Sequence, residues 1–177
     1  MKIYYHVLLL LVVGIYANIF NTTDVTIENQ AVISFIFDDL NTSDSEVKSI
    51  FDEFGFKPSF ALTTNKLNAK TAPLYKSYAN EGISILSHSH THPKMNNASD
   101  IDKETVLMEL RVSKEQINSY GIPVRGFVTP NSYMRPDFLM LLDSVYDYAF
   151  TNNHNDNYDN SVGKHHLARY GIESNIS

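Results

Sequence analysis

The chain has no cysteine, only seven histidines, and fewer basic than acidic residues, 14 against 20 in 177. Without cysteine there is neither a disulfide nor a thiolate metal site, so a transition metal would have to take imidazole and carboxylate ligands. The net charge of -6, with no stripe of Lys and Arg to offset it, speaks against a nucleic-acid partner. No internal repeat is present. The hydrophobic content of 43%, with 12% aromatic, suffices for a packed core and argues against global disorder. A length of 177 residues fits one domain with little to spare.

The scarce histidines are not spread evenly. Three fall in Ser87-His88-Ser89-His90-Thr91-His92-Pro93, directly after the apolar run Ile83–Leu86. The adjacent carboxylates Asp38-Asp39 likewise end an apolar run, Ala31–Phe37. Histidine is the commonest metal-binding side chain, and two such groups at strand ends suggest a metal-dependent hydrolytic site. His88 and His92, four apart, can reach one ion where the strand turns into a loop. A carboxylate from Asp38 or Asp39 would complete three protein ligands, leaving the other as a general base. The bland alternatives are a solvated acidic pair before a helix N-terminus and a surface histidine tract.

The N-terminus reads as a separate object. Residues 1–20 combine one early positive charge, the apolar run Val7–Ile15 and a small residue at Ala17. That pattern is an export signal or an uncleaved membrane anchor, with a buried first helix as the alternative. Either exported form places the rest outside the cytoplasm, secreted or anchored, with membrane contact through this segment alone. Residues 21–30 are polar and read as a linker, and residues 31–177 as the domain.

Within the domain, strand and helix signals alternate. Strands are expected over 31–37, 59–62, 83–86, 124–128 and 146–150. Helices are expected over 45–54, 71–79, 102–120 and 136–145, several stopped by glycine. Val47, Ile50, Phe51 and Phe54 would form the apolar face of the first helix; Val106, Leu107, Leu110 and Ile117 that of the longest, with Ser99 and Asp102 as a weak capping box. Such alternation means parallel βα units, in an open doubly wound sheet or a barrel, and five strands are too few for a full eight-stranded barrel. Ligands gather at the C-terminal strand ends in both. Asp38-Asp39, His88–His92, Thr129-Pro130-Asn131 and Thr151-Asn152 should therefore share one face.

These residues carry a resemblance. Ile36-Phe37-Asp38-Asp39-Leu40 is similar to the Thr-Phe-Asp-Asp-Gly motif of the NodB-homology polysaccharide deacetylases, carbohydrate esterase family four. His88-Ser89-His90-Thr91-His92 matches that family's His-[Ser/Thr]-x-x-His, and Phe54–Phe60 and Glu109–Lys114 resemble its intervening phrases. The resemblance implies an α/β fold, a partial or distorted (β/α) barrel with its catalytic face at the C-terminal strand ends. It implies a hydrolase that removes N-acetyl groups from N-acetylglucosamine-type polysaccharide, a cell-wall or extracellular glycan. Asp38 would be the catalytic base, and Asp39, His88 and His92 the ligands of a divalent metal, zinc first, with cobalt, nickel or manganese as alternatives. His90 would point away or sit just behind the ligands without touching the metal. Thr129, Pro130 and Asn131 stand where the family's third motif supplies an oxyanion donor.

The departures from the family pattern are specific. Leu40 replaces a glycine, so the backbone after Asp39 is expected to avoid a glycine-only conformation. Val128 stands where the family often has the arginine that orients the base. The family's late Leu-x-His, whose histidine protonates the leaving amine, is not found by Ser177, and His165 and His166 are poor substitutes. A domain incomplete at its C-terminus is therefore expected, and a relative that binds metal and glycan with little turnover is the alternative function. Arg169 and Tyr133 are candidate pocket residues; Arg125 and Arg135 read as surface or structural. Tyr146 and Tyr148 read as core more than as sugar-stacking platforms. His154, Asp156 and Asp159 do not have calcium-loop spacing and read as a solvated loop.

Overall fold

The computed structural model describes residues 33–151 and 167–169. The chain divides into two units, Met1–Ile33 and Ser34–Ser177, and every element below lies in the second. The apolar N-terminal segment, the linker, His154 and the His165-His166 pair lie outside the described residues.

Six parallel strands form one curled sheet, a half-barrel, in the order of the sequence: β1 (Ile36–Asp38), β2 (Ser59–Leu62), β3 (Ser84–Ser87), β4 (Gly126–Val128), β5 (Tyr148–Thr151) and β6 (Leu167–Ala168). Among the described residues four α-helices lie between the strands: α1 (Asp44–Glu53), α2 (Ala72–Asn80), α3 (Lys103–Ser119) and α4 (Pro136–Leu142). The sheet order matches the parallel βα pattern read from the sequence. The sixth strand was not expected, because two residues are too few to show a period.

The two-residue period of the strands decides what faces where. Phe60, Leu62, Ile85, Phe127 and Ala149 join the core beneath the helices. Their neighbours Ala61, Leu86 and Val128 form a second, smaller cluster with Ile36, Tyr148 and Phe150. Asp38 shares parity with Ile36, and His88 with Leu86. Alternation alone therefore turns both toward the inner side of the curl.

The helices dock through aromatic and mixed faces. Phe51 of α1 meets Phe35 and Phe37 edge-on, and Tyr78 of α2 stacks on Phe60. The expected four-residue face of α1 is only half used, since Ile50 and Phe54 are 48% and 69% exposed. A polar side chain takes the place instead: buried Asp44 accepts a hydrogen bond from the Tyr75 hydroxyl at 2.6 Å, and burial raises its carboxyl above the usual aspartate range. On α3 the buried face is Val106, Glu109, Leu110, Ser113 and Ile117, so two polar residues sit where Leu107 was expected. Asp102 itself caps that helix, accepting from the Thr105 amide at 2.7 Å, which displaces Ser99 from the expected capping role. Ser113 also ties α3 to the sheet through Ser87 and Tyr146.

Candidate metal centre

The loops leaving β1 and β3 bring one carboxylate and two imidazoles together. One ligand atom each from Asp39, His88 and His92 all lie within 4.8 Å of one another. Nε2 of His92 is 3.2 Å from Nε2 of His88 and 3.4 Å from Oδ1 of Asp39. Nε2 of His88 is 3.9 Å from the same carboxylate oxygen.

His88 is the fixed member. Its side chain is almost wholly buried, and its Nδ1–H donates to the Val128 carbonyl at 2.8 Å. A carbonyl can only accept, so Nδ1 carries the proton and Nε2 presents a lone pair. Burial holds the imidazole below its ordinary value of 6.5, although the Asp38 carboxylate and the Val128 carbonyl push the other way. A neutral His88 thus faces a second imidazole nitrogen and a carboxylate oxygen. His92 Nε2–H donates to that lone pair; with this proton displaced, two nitrogens and one oxygen form the donor set of a borderline divalent cation, with room for further ligands. The residues fit such an ion.

Asp38 stands beside this set with a different partner. Its Oδ2 lies 3.6 Å from Nε2 of His88 and accepts from Nη1 of Arg169 at 2.6 Å. Nη2 of Arg169 donates to the Thr129 carbonyl at 3.2 Å, and its backbone amide to the Thr151 carbonyl at 3.2 Å. One arginine just past β6 therefore spans the curl from the last strand to the first. Val128 lacks the family's arginine, and Arg169 supplies a guanidinium to Asp38 from elsewhere in the chain. Oδ1 of Asp38 is buried and has no hydrogen-bond partner, as are Thr129 Oγ1, Thr151 Oγ1 and Arg169 Nε. Orphaned buried polar atoms are rare in folded proteins, and these four belong to the Asp38–Arg169 neighbourhood.

The remaining expected residues divide. His90 turns away from the donor set and pairs its Nδ1 with the Thr64 hydroxyl at 2.9 Å. Thr129 and Pro130 are buried at the end of β4, whereas Asn131 is exposed and left-handed, with φ 53°. Tyr133 is half-buried, and its amide donates to the Asn131 carbonyl. Arg125 and Arg135 pair with Asp147 and Asp137 at the surface, as read from the sequence, and Tyr146 is core. The backbone after Asp39 does not avoid the glycine-favouring region: Asp39 and Leu40 have φ of 83° and 58°. Asn41 Nδ2 bonds to the Asp38 carbonyl and Lys66 Nζ to the Asp39 carbonyl, and these bonds pin that turn.

Thr63 and Lys66 were not singled out from the sequence, and Glu109 only as the start of a phrase resembling the family, with no role. Thr63 Oγ1 donates to Oδ1 of Asp39 at 3.3 Å. Thr63 and Thr64 immediately follow β2, so the strand-end rule applied to every strand would have found them.

Comparison with known proteins identifies the family and the fold. The model of the family described as Polysaccharide deacetylase matches residues 27–145. The chain belongs to the polysaccharide deacetylase family. A curated relative, a bifunctional xylanase/deacetylase from Pseudobutyrivibrio xylanivorans, is 26% identical over 143 residues, covering 79% of this chain and 22% of that protein. Among solved structures, the Xyl-CE4 domain of a multidomain xylanase from the hindgut metagenome of Trinervitermes trinervoides superposes with a TM-score of 0.61 at 25% identity, covering 75% of this chain and 63% of the other. A family 4 acetyl xylan esterase from Clostridium thermocellum, in complex with cobalt, shares the fold with a TM-score of 0.59 at 20% identity, over 67% of this chain and 57% of its own. The chain thus spans about a fifth of the curated deacetylase and less than two thirds of these two structures.

Proposed function

We propose that this polysaccharide deacetylase homologue is a metal-dependent hydrolase that removes N-acetyl groups from an N-acetylglucosamine-type glycan. The observation that carries the reading is the convergence of Asp39, His88 and His92 with Asp38 standing unligated beside them, held by Arg169. Asp39, His88 and His92 would hold a divalent ion, zinc by preference. A bound ion supplies carbonyl polarisation and lowers the pKa of water.

The chain's own residues do the rest. Asp38 takes the proton of the attacking water on the carboxylate whose Oδ2 faces His88 Nε2 at 3.6 Å and is oriented by Arg169. Water oxygen bonds to the acetyl carbon, the carbon–nitrogen bond breaks, and the proton held by Asp38 passes to the departing amine. Acetate and a free amino sugar result. The reading of residues 1–20 as an export signal or anchor places this work outside the cytoplasm, on cell-wall or extracellular glycan.

The test is acetate release from an N-acetylglucosamine oligomer and from an O-acetylated xylan oligomer, with Zn or Co present. Wild type should act on the amino-sugar oligomer, and Asp38→Asn should be slower by about 10²-fold or more. Equal rates for the two proteins would sink the catalytic reading. Release from xylan alone would replace the N-acetyl substrate with an O-acetyl one. Metal binding without release from either would point to the glycan-binding alternative.

A further inference from the structure

We infer that Glu109 is a positioning residue for the metal centre, acting through the loop that carries His92. This rests on the metal-binding reading above. Glu109 lies on α3, touches none of Asp38, Asp39, His88 or His92 in the contacts described, and is only 4% exposed. A buried carboxylate needs partners, and the partners here are all in one loop. Oε2 accepts the backbone amides of His90 and Thr91, both at 2.8 Å, and Oε1 accepts the Thr91 hydroxyl at 2.6 Å.

Those two amides sit between two left-handed residues, Ser89 with φ 66° and His92 with φ 64°. Neither is glycine, so the loop does not take this shape by preference. The opposite side of the loop is held by the exit of β2: the Thr64 amide donates to the Ser89 carbonyl and the Asn65 amide to the His90 carbonyl. Ser89 Oγ accepts the His92 amide at 3.0 Å. The loop is thus clamped from both sides, and Glu109 is the clamp on the α3 side. His88 is set by its own strand and by Val128. His92 depends on the loop, and its Nε2 meets that of His88 only if the loop stays coiled. The carboxylate of α3 therefore sets the bite of the two imidazoles.

Titration of the full-length chain with Co²⁺ and Zn²⁺ alone, followed by Co²⁺ absorption and by calorimetry, tests this. Glu109→Ala should weaken binding about 10–100-fold, the range for losing a residue that orients a ligand. Glu109→Gln should stay within about threefold of wild type. Its amide oxygen accepts the two N–H groups, and its NH2 donates to the Thr91 hydroxyl. Ser113→Ala, which breaks the Ser87 contact on the same helix, controls for loss of stability and should leave affinity unchanged. If Glu109→Ala fails to fold, Glu109→Asp takes its place: its shorter carboxylate cannot reach both amides, and binding should weaken at least about fivefold. Wild-type affinity in the folded Ala or Asp variant overturns the inference, as does an equal loss in Ser113→Ala. A wild type that binds neither ion overturns the metal centre itself, a separate and recognisable failure.

Discussion

Replacing Arg169 with methionine isolates what the span from β6 to β1 does for Asp38. The substitution keeps most of the apolar stem and removes two bonds, to Asp38 Oδ2 at 2.6 Å and to the Thr129 carbonyl at 3.2 Å. Breaking a fully buried pair costs about 3–5 kcal/mol. Here the side chains retain 17% and 27% of their exposure, so water replaces part of the lost interaction. A loss of about 2 kcal/mol is expected, which lowers Tm by about 6 °C for a domain of this size. The effect on turnover should be larger. Without Arg169 the Asp38 carboxylate is free to rotate, and a misplacement of about 1 Å costs roughly 10²-fold. Under saturating Zn, kcat for acetate release should therefore fall about 10²-fold with little change in KM. Arg169→Lys, whose ammonium can satisfy one of the two acceptors well but not both, should fall between, near tenfold. Metal affinity should not fall, because Arg169 is bonded to none of the three candidate ligands and its positive charge beside His88 opposes a cation. In an Asp38→Asn background the Arg169 substitution should cost almost nothing further, since both act through one carboxylate. A kcat within twofold of wild type for Arg169→Met, alongside a collapsed Asp38→Asn, would refute this account of the pair.

Two further outcomes follow from the same geometry. His88 is held below 6.5 by burial, so the folded, metal-free protein binds fewer protons than the unfolded chain once the pH drops beneath that value. Its contribution is present above about 6.5 and is lost as the pH falls toward the depressed value. At pH 5.5 with EDTA, up to about 1.4 kcal/mol should be missing. His88→Asn keeps a donor for Val128 and should remove this loss; parallel urea midpoints for the two proteins at pH 7.5 and 5.5 would contradict it. At Gly126 a Cβ would come 2.3 Å from Tyr148 Cε2 and 2.8 Å from Leu86 Cδ2. Gly126→Ala should therefore lose about 2 kcal/mol in urea unfolding, and a loss under about 0.5 would show that the inner cluster repacks freely.

Local pattern carried most of the architecture. The glycines at 55, 82 and 121 stop helices at positive φ, and the apolar runs gave five of the six strands. Asp38-Asp39, His88 and Thr129 were placed at strand ends because a parallel sheet leaves them nowhere else. Arg169 was weakly visible for the opposite reason. Its role depends on the sheet curling until its last strand faces its first, a closure that no local spacing encodes. Glu109 heads a phrase that resembles the family, but its role was not legible: a carboxylate at a helical position normally reads as solvated surface, and only its three donors in the histidine loop make burial tolerable. The same applies to Asp44 beneath Tyr75, whereas Ile50 has the right period but stays 48% exposed.

Backbone conformation adds an independent argument for where function lies. Among the described residues, five non-glycine positions have positive φ: Asp39, Leu40, Ser89, His92 and Asn131. All five are in loops leaving β1, β3 and β4 at one end of the sheet. Each such residue costs about 1 kcal/mol or more, so together they oppose folding by about 5 kcal/mol. That is comparable to the net stability of a small domain. Chance would scatter such residues over all the loops, including those at the N-terminal strand ends. There the described positive-φ residues are the glycines, which bear no such strain. The strained set is also the pinned set: Lys66 and Asn41 hold the Asp39 turn, Thr64, Asn65 and Glu109 hold the histidine loop, and Tyr133 holds Asn131. Strain that is both concentrated and over-determined, at Asp39, His92 and beside Asp38 and His88, supports the proposed metal site.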